Sequence, residues 1–185
     1  LEGASISKSF APNPIASGLG NYSILTIIIR STANVTLTNM AMVDSLPLGL
    51  EIAGGSAPAL TNNCGGTVTN AALGPLAAGD TVIRLSGGTL PIGFSSCTIT
   101  VAVTGANPGT YTNTIPPDTL TNNESTTNAE AAEATLVLTP FSLGNRVWYD
   151  TNNSGTVDGT EVGIQNVRVE LYKDNGTIPG VFDPS

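Results

Sequence analysis

Turn residues punctuate the first 140 positions closely and leave only short runs of chain between them. Pro12-Asn13-Pro14, Pro47-Leu48-Gly49, Gly74-Pro75, Ala78-Gly79-Asp80, Pro91-Ile92-Gly93, Pro108-Gly109 and Pro116-Pro117 each break the chain. Proline fixes φ and removes a donor, and glycine accepts conformations closed to other residues. The runs between these breaks are rich in Val, Ile and Thr. They read as strands at Ala4–Phe10, Tyr22–Ser31, Val35–Asp44, Leu50–Ala53, Gly66–Thr69, Thr81–Ser86, Cys97–Thr104 and Thr110–Ile115. Asn128–Ala134 is friendly to helix, but it is short and runs into Thr135-Leu136-Val137-Leu138, so Asn128–Leu138 reads as a closing strand. Many short strands with almost no helical periodicity predict an all-β chain, with an immunoglobulin-like β-sandwich over residues 1–139. Pro140 marks the start of a second unit, 140–185, too short to bury a sandwich core alone.

In that second unit, oxygen-bearing side chains recur with the spacing of a calcium loop. Asp150, Asn152, Ser154, Asp158 and Glu161 occupy positions 1, 3, 5, 9 and 12, and Gly155 stands at position 6. Position 7, Thr156, would contribute its carbonyl, and Glu161 would bind through both oxygens. A hard divalent cation needs such an oxygen cage, so the expected cofactor is Ca2+. An Asn/Gly-rich turn with no metal is the plainer reading of the same residues. The flanks decide what an ion would do. Upstream, Leu143 to Tyr149 is rich in β-formers, and downstream Val167, Val169 and Leu171 alternate on one face. Calcium sensors swing helices apart. Strands do not, so calcium here is expected to staple and not to switch.

Charge and composition narrow the function further. A net charge of −8 with no basic patch argues against nucleic acid as a partner. No run is apolar and long enough to span a bilayer. The chain has no histidine and no nucleophile beside a base, so an enzyme is not expected. It begins with Leu1 and not Met, which reads as a piece of a longer precursor.

Two resemblances follow from particular residues. Gly144 to Asp150, the loop through Glu161, and Gly163 to Leu171 closely resemble the front half of the SdrD B-like repeat. That family implies a calcium-binding β-sandwich in the stalks of bacterial surface adhesins. By the same resemblance Asp150, Asn152, Ser154, Asp158 and Glu161 take the ligand role. Serine at 154, where the family often has Asn or Asp, implies a weaker site. The first domain resembles DUF11-like bacterial surface repeats through Ile6-Ser7-Lys8-Ser9-Phe10, Val43 to Leu50, Asn63-Cys64-Gly65, Ser96-Cys97-Thr98-Ile99, Gly109 to Ile115 and Ala134-Thr135-Leu136. That resemblance implies an immunoglobulin-like spacer.

Cys64 and Cys97 are the only cysteines. In an exported chain they would form a disulfide worth about 3 kcal/mol, and in an intracellular one they would be two buried thiols. A metal pair would need further Cys or His ligands.

Lysine is just as scarce, since Lys8 is the only one before Lys173. In this the chain resembles Gram-positive surface sandwiches, many of which join a first-strand lysine to a late-strand asparagine in an autocatalytic isopeptide bond beside a buried acid, a reaction that needs apolar surroundings. Lys8 is the candidate amine, Asp44 the acid and Asn113 the electrophile, with Asn128 as the substitute. The bland alternative is an edge lysine paired with Asp44 or reaching water.

These features predict a non-enzymatic extracellular module, secreted or on a bacterial cell surface, that serves as a spacer or stalk beside neighbouring repeats. One alternative is a self-assembling filament or surface-layer subunit in which copies of the chain exchange strands. Another is an adhesin module for host protein or glycan, with Tyr22, Tyr111 and Tyr172 as contacts, although aromatics are only 5% of residues.

Overall fold

The computed structural model describes residues 3–93, 95–140, 147–159 and 161–168. The chain divides into two compact units, Leu1–Phe141 and Ser142–Ser185. The described residues contain strands and no helix, hence no helix long and apolar enough to cross a membrane.

Among its described residues the first unit holds eleven strands: β1 (Ala4–Ala11), β2 (Ile15–Ala16), β3 (Ser23–Ser31), β4 (Leu37–Ser45), β5 (Glu51–Ile52), β6 (Thr61–Asn62), β7 (Thr67–Thr69), β8 (Val82–Leu90), β9 (Ser95–Thr104), β10 (Gly109–Ile115) and β11 (Ala132–Thr139). One sheet runs β1-β3-β9-β5, with β6 also paired to β9. The others run β4-β8-β7 and β10-β11-β2. All three sheets contribute to a single core.

Period-two alternation explains the central strand. Leu25, Ile27 and Ile29 on β3 are fully buried and stand opposite Val101, Ile99 and Cys97 of β9. On β1, Ile6 and Phe10 point inward, and Lys8 lies on that same face between them.

The chain leaves the first sheet at Pro12–Pro14 and enters another at β2, which pairs in parallel with Leu138 and Thr139 of β11. Asn13 bridges the gap, since its Nδ2 donates to the Thr135 carbonyl at 2.7 Å and its Oδ1 accepts from the Val137 amide at 3.0 Å. One side chain thus extends a backbone ladder that two prolines cannot supply.

Strand β8 continues past Ser86, the expected end, through Gly87 and Gly88 to Leu90. Those glycines are an approach point and not a stop. Gly66, at φ 62°, lies against the Ser86 carbonyl and the Gly87–Gly88 backbone, so closely that no Cβ fits. The closing strand is also shorter than expected and starts at Ala132. Asn128 instead organises the preceding turn: its Oδ1 accepts from the Leu120 amide, and its Nδ2 donates to the Pro116 and Glu130 carbonyls, all at 2.9 Å.

Cys64 and Cys97 form a disulfide with a Cα–Cα distance of 4.8 Å, and both residues are buried. The bridge ties the turn after β6 to the middle of the first sheet. Replacing Cys97 by serine is expected to lower stability by about 3 kcal/mol, read as an earlier urea midpoint. An unchanged midpoint would mean that the bridge adds nothing to the fold.

Candidate functional site

Two groups of polar residues stand out, one in each unit. In the second unit, the loop from Asp150 folds its side chains inward. Asp150 Oδ1 accepts from the Ser154 amide at 3.1 Å, and its Oδ2 accepts from the Gly155 amide at 2.8 Å. Asn152 Oδ1 also accepts from the Ser154 amide, while Asn152 Nδ2 and Ser154 Oγ both donate to the Asp158 carboxylate. The Thr156 carbonyl accepts from Ser154 Oγ at 3.0 Å. Positive φ at Asn153, Gly155 and Gly159 makes these reversals, and two of the three are glycines.

Glu161 reaches back across the loop. Its Oε1 accepts from the Thr151 amide at 2.9 Å and its Oε2 from the Asp158 amide at 3.2 Å. Thr151, which the ligand pattern passes over, thus positions the last carboxylate through its amide and its hydroxyl. Asp150, Asn152, Ser154, Thr156 and Asp158 lie within hydrogen-bonding reach of one another, and their oxygens are of the hard type that calcium takes. Among the described residues no three acidic side chains form a metal-type cluster, and each carboxylate is satisfied by donors of the loop. The donor set fits a hard cation in its chemistry.

An isolated antiparallel bridge closes the loop, and the described residues on either side of it form neither a helix nor an extended strand. Trp148 and Gly163 form an antiparallel bridge, the Ile164 amide donates to the Val147 carbonyl at 2.7 Å, and the Tyr149 amide reaches the Val162 carbonyl at 3.5 Å. The partner of the upstream segment is therefore Val162–Ile164, directly after the loop. Val169 and Leu171, expected on a downstream strand, lie outside the described residues, as does Tyr172.

In the first unit, Lys8, Asp44 and Asn113 meet in the core. Lys8 Nζ lies 2.8 Å from Asp44 Oδ1 and 2.8 Å from Oδ2, and both side chains are fully buried. Asn113 Nδ2 donates to Asp44 Oδ2 at 3.1 Å. Lys8 comes from β1, Asp44 from β4 and Asn113 from β10, so the cluster joins all three sheets. Asn113 Oδ1 is buried with no protein partner. Burial pulls the Lys8 amine below its ordinary pKa, and the Asp44 carboxylate opposes that shift through its charge and its hydrogen bond. Asn128, the substitute electrophile, spends its side chain on its own turn, bonded to Leu120, Pro116 and Glu130.

Tyr111, weighed above as a binding contact, is half-buried instead. Its hydroxyl donates to the Asn107 carbonyl at 3.0 Å, and its ring packs against Gly49 and Gly109. A tyrosine hydroxyl bonded to a backbone carbonyl a few residues upstream is the kind of contact that a tyrosine corner makes.

These features define a disulfide-bonded β-sandwich followed by an oxygen-rich loop closed by a single antiparallel bridge. The chain belongs to the family described as domain of unknown function DUF7933, which matches residues 4–138. The SdrD B-like domain family matches residues 141–181. Serine-aspartate repeat-containing protein C of Staphylococcus aureus strain N315 is 36% identical over 102 residues, covering 54% of this chain and 10% of that protein. Colossin-B of Dictyostelium discoideum is 48% identical over 46 residues, covering 24% of this chain and 1% of that protein. The chain therefore spans a tenth or less of the length of these relatives. Among solved structures, BslA, a bacterial hydrophobin, aligns over 76% of this chain and 97% of its own, with 17% identity and a TM-score of 0.48. A cohesin module from a Clostridium perfringens family 33 glycoside hydrolase aligns over 76% of this chain and all of its own, at 11% identity and the same TM-score. Neither of these two likenesses bears on function.

The Asp150 carboxyl is held below the usual aspartate range, first by the Gly155 amide and then by further amides of the loop. A depressed folded-state pKa contributes stability above the unfolded value and loses it as pH falls through the folded one. Acidification below about pH 4 should therefore loosen this loop. NMR titration is expected to show the Asp150 carboxyl and the Ser154 and Gly155 amides shifting together, at a pH below that of an ordinary aspartate. A midpoint at the ordinary value would contradict the hydrogen-bonded geometry.

Proposed function

We propose that this chain is a non-enzymatic spacer module of a bacterial extracellular surface protein, stiffened by its disulfide and by calcium in the 150–161 loop. The observation that carries the reading is the oxygen set of Asp150, Asn152, Ser154, Thr156, Asp158 and Glu161, closed at its base by the antiparallel pairing of Val147–Tyr149 with Val162–Ile164. An ion held there would add bonds across a loop whose ends are already paired. It would restrict bending without moving a helix. The SdrD B-like match over this unit and the likeness to a serine-aspartate repeat protein support the same reading.

The chemistry of the first unit also favours a scaffold over a catalyst. Its buried ionisable groups are enclosed in the core, where no substrate reaches them. Tyr22 and Tyr111 are both half-buried, and Tyr111 is tied to its corner. An aromatic recognition patch has no support from them.

Modules of this extracellular type bind calcium at about 10⁻⁴–10⁻³ M. Millimolar calcium is expected to raise the melting temperature of the second unit and to protect it from protease, and a chelator should reverse both effects. Glu161→Gln should weaken the response at least about tenfold, because it removes the bidentate carboxylate. A melting curve indifferent to calcium and chelator would end the staple reading.

A further inference from the structure

We propose that Lys8 and Asn113 become joined by an amide bond between Lys8 Nζ and Asn113 Cγ, with Asp44 carrying the protons. This maturation step stands apart from the calcium reading, since it concerns only the first unit.

Three observations converge on it. Lys8 is the sole lysine of the first unit, and its side chain is completely buried between Ile6 and Phe10 on the inner face of β1. Asp44 is the one fully enclosed acid among the described residues, and its Oδ2 touches both Lys8 Nζ and Asn113 Nδ2. Amine and carboxamide thus meet at a single oxygen. Finally, Asn113 Oδ1 is buried and unpartnered, which is costly for a carbonyl in a dry core. Half a rotation of the carboxamide would aim that oxygen at Asp44, and this suits Asp44 once it carries a proton.

The core supplies the driving force. A charged amine and a carboxylate both lose hydration there, so moving one proton from Lys8 to Asp44 removes two buried charges. The depressed Lys8 amine fits that direction. The neutral amine then attacks Asn113 Cγ while Asp44 donates its proton to Oδ1. As the carbonyl re-forms, Asp44 relays a proton from Nζ to Nδ2, the Cγ–Nδ2 bond breaks, and ammonia leaves. The new amide keeps one N–H, Asp44 ends protonated against the new carbonyl, and no water, oxidant or cofactor is consumed. The product leaves no charge and no orphaned carbonyl in the core. The bond joins β1 to β10 across the two sheets that hold them.

Intact mass of the purified full chain, denatured and reduced, tests this directly. The expected mass is that of the sequence less one ammonia. After reduction and trypsin, an acylated Lys8 resists cleavage, so residues 1–30 should remain attached to the peptide 85–146 that contains Asn113. Release of free peptide 1–8, or full sequence mass, would overturn the proposal. So would an ammonia deficit mapped to Asn175-Gly176, where a succinimide would give the same mass change. Asp44→Asn keeps both reacting groups, and its chain is expected at full mass. An ammonia deficit in that variant would overturn the role of Asp44. The wild-type peptide map stands without the variant, even where the variant does not fold.

Discussion

A lysine, an aspartate and an asparagine buried in a core of aliphatic side chains set the terms for the first unit. Everything around Lys8 is arranged so that its amine has one place to go. Ile6 and Phe10 flank it along β1, and Asp44 receives it from β4 with both oxygens. A buried pair of this kind gives little net stability, but breaking it by removing one partner commonly costs about 3–5 kcal/mol, because the survivor is left unpaired. The cluster therefore fixes which strands face each other across the core more than it adds to the total. Aliphatic residues of similar volume would pack there as well without specifying the same partners.

Strands β3 and β9 were legible in the sequence as runs of β-formers, Tyr22–Ser31 and Cys97–Thr104, although continuous apolar stretches such as Ile24–Ile29 do not by themselves say which residues face the core. Lys8, Asp44 and Asn113 were each visible as unusual residues: a lone lysine among inward-facing positions, an acid at the end of an apolar strand, an asparagine in a threonine-rich one. Their meeting was not visible, since it depends on how three sheets pack. Strands β2 and β6 are two residues long, and β2 follows two prolines, so neither leaves a periodic signal. Gly87 and Gly88 read as breakers by their type, yet they are needed where Gly66 crosses over β8. In the second unit the ligand spacing was explicit. The strand pairing that closes the loop uses Val162–Ile164, which the apolar pattern placed outside any strand.

Mechanical resistance links these features to the proposed spacer role. The disulfide ties the turn after β6 to β9 in the first sheet, and the Lys8 cluster ties that sheet to the two sheets that hold β4 and β10. Backbone ladders resist shear, but they yield at an edge under a force that peels the strands apart. A side-chain connection between β1 and β10 takes the load from a terminal strand before that peeling begins. Tyr111, opposite Leu136, and the side-chain bridge from Asn13 to Thr135 and Val137 brace the same stretch of β11. An extended surface protein under tension has use for such a domain, and a calcium-stiffened neighbour would serve the same purpose.

Single-molecule pulling on the full chain held at its two ends tests this account most directly. A covalent link from Lys8 to Asn113 shields roughly a hundred intervening residues, a hidden length of about 350 Å at full extension. The account predicts that the first unit never releases that length, at any force short of breaking covalent bonds. Extension by the full contour of the sandwich in reduced protein would contradict it.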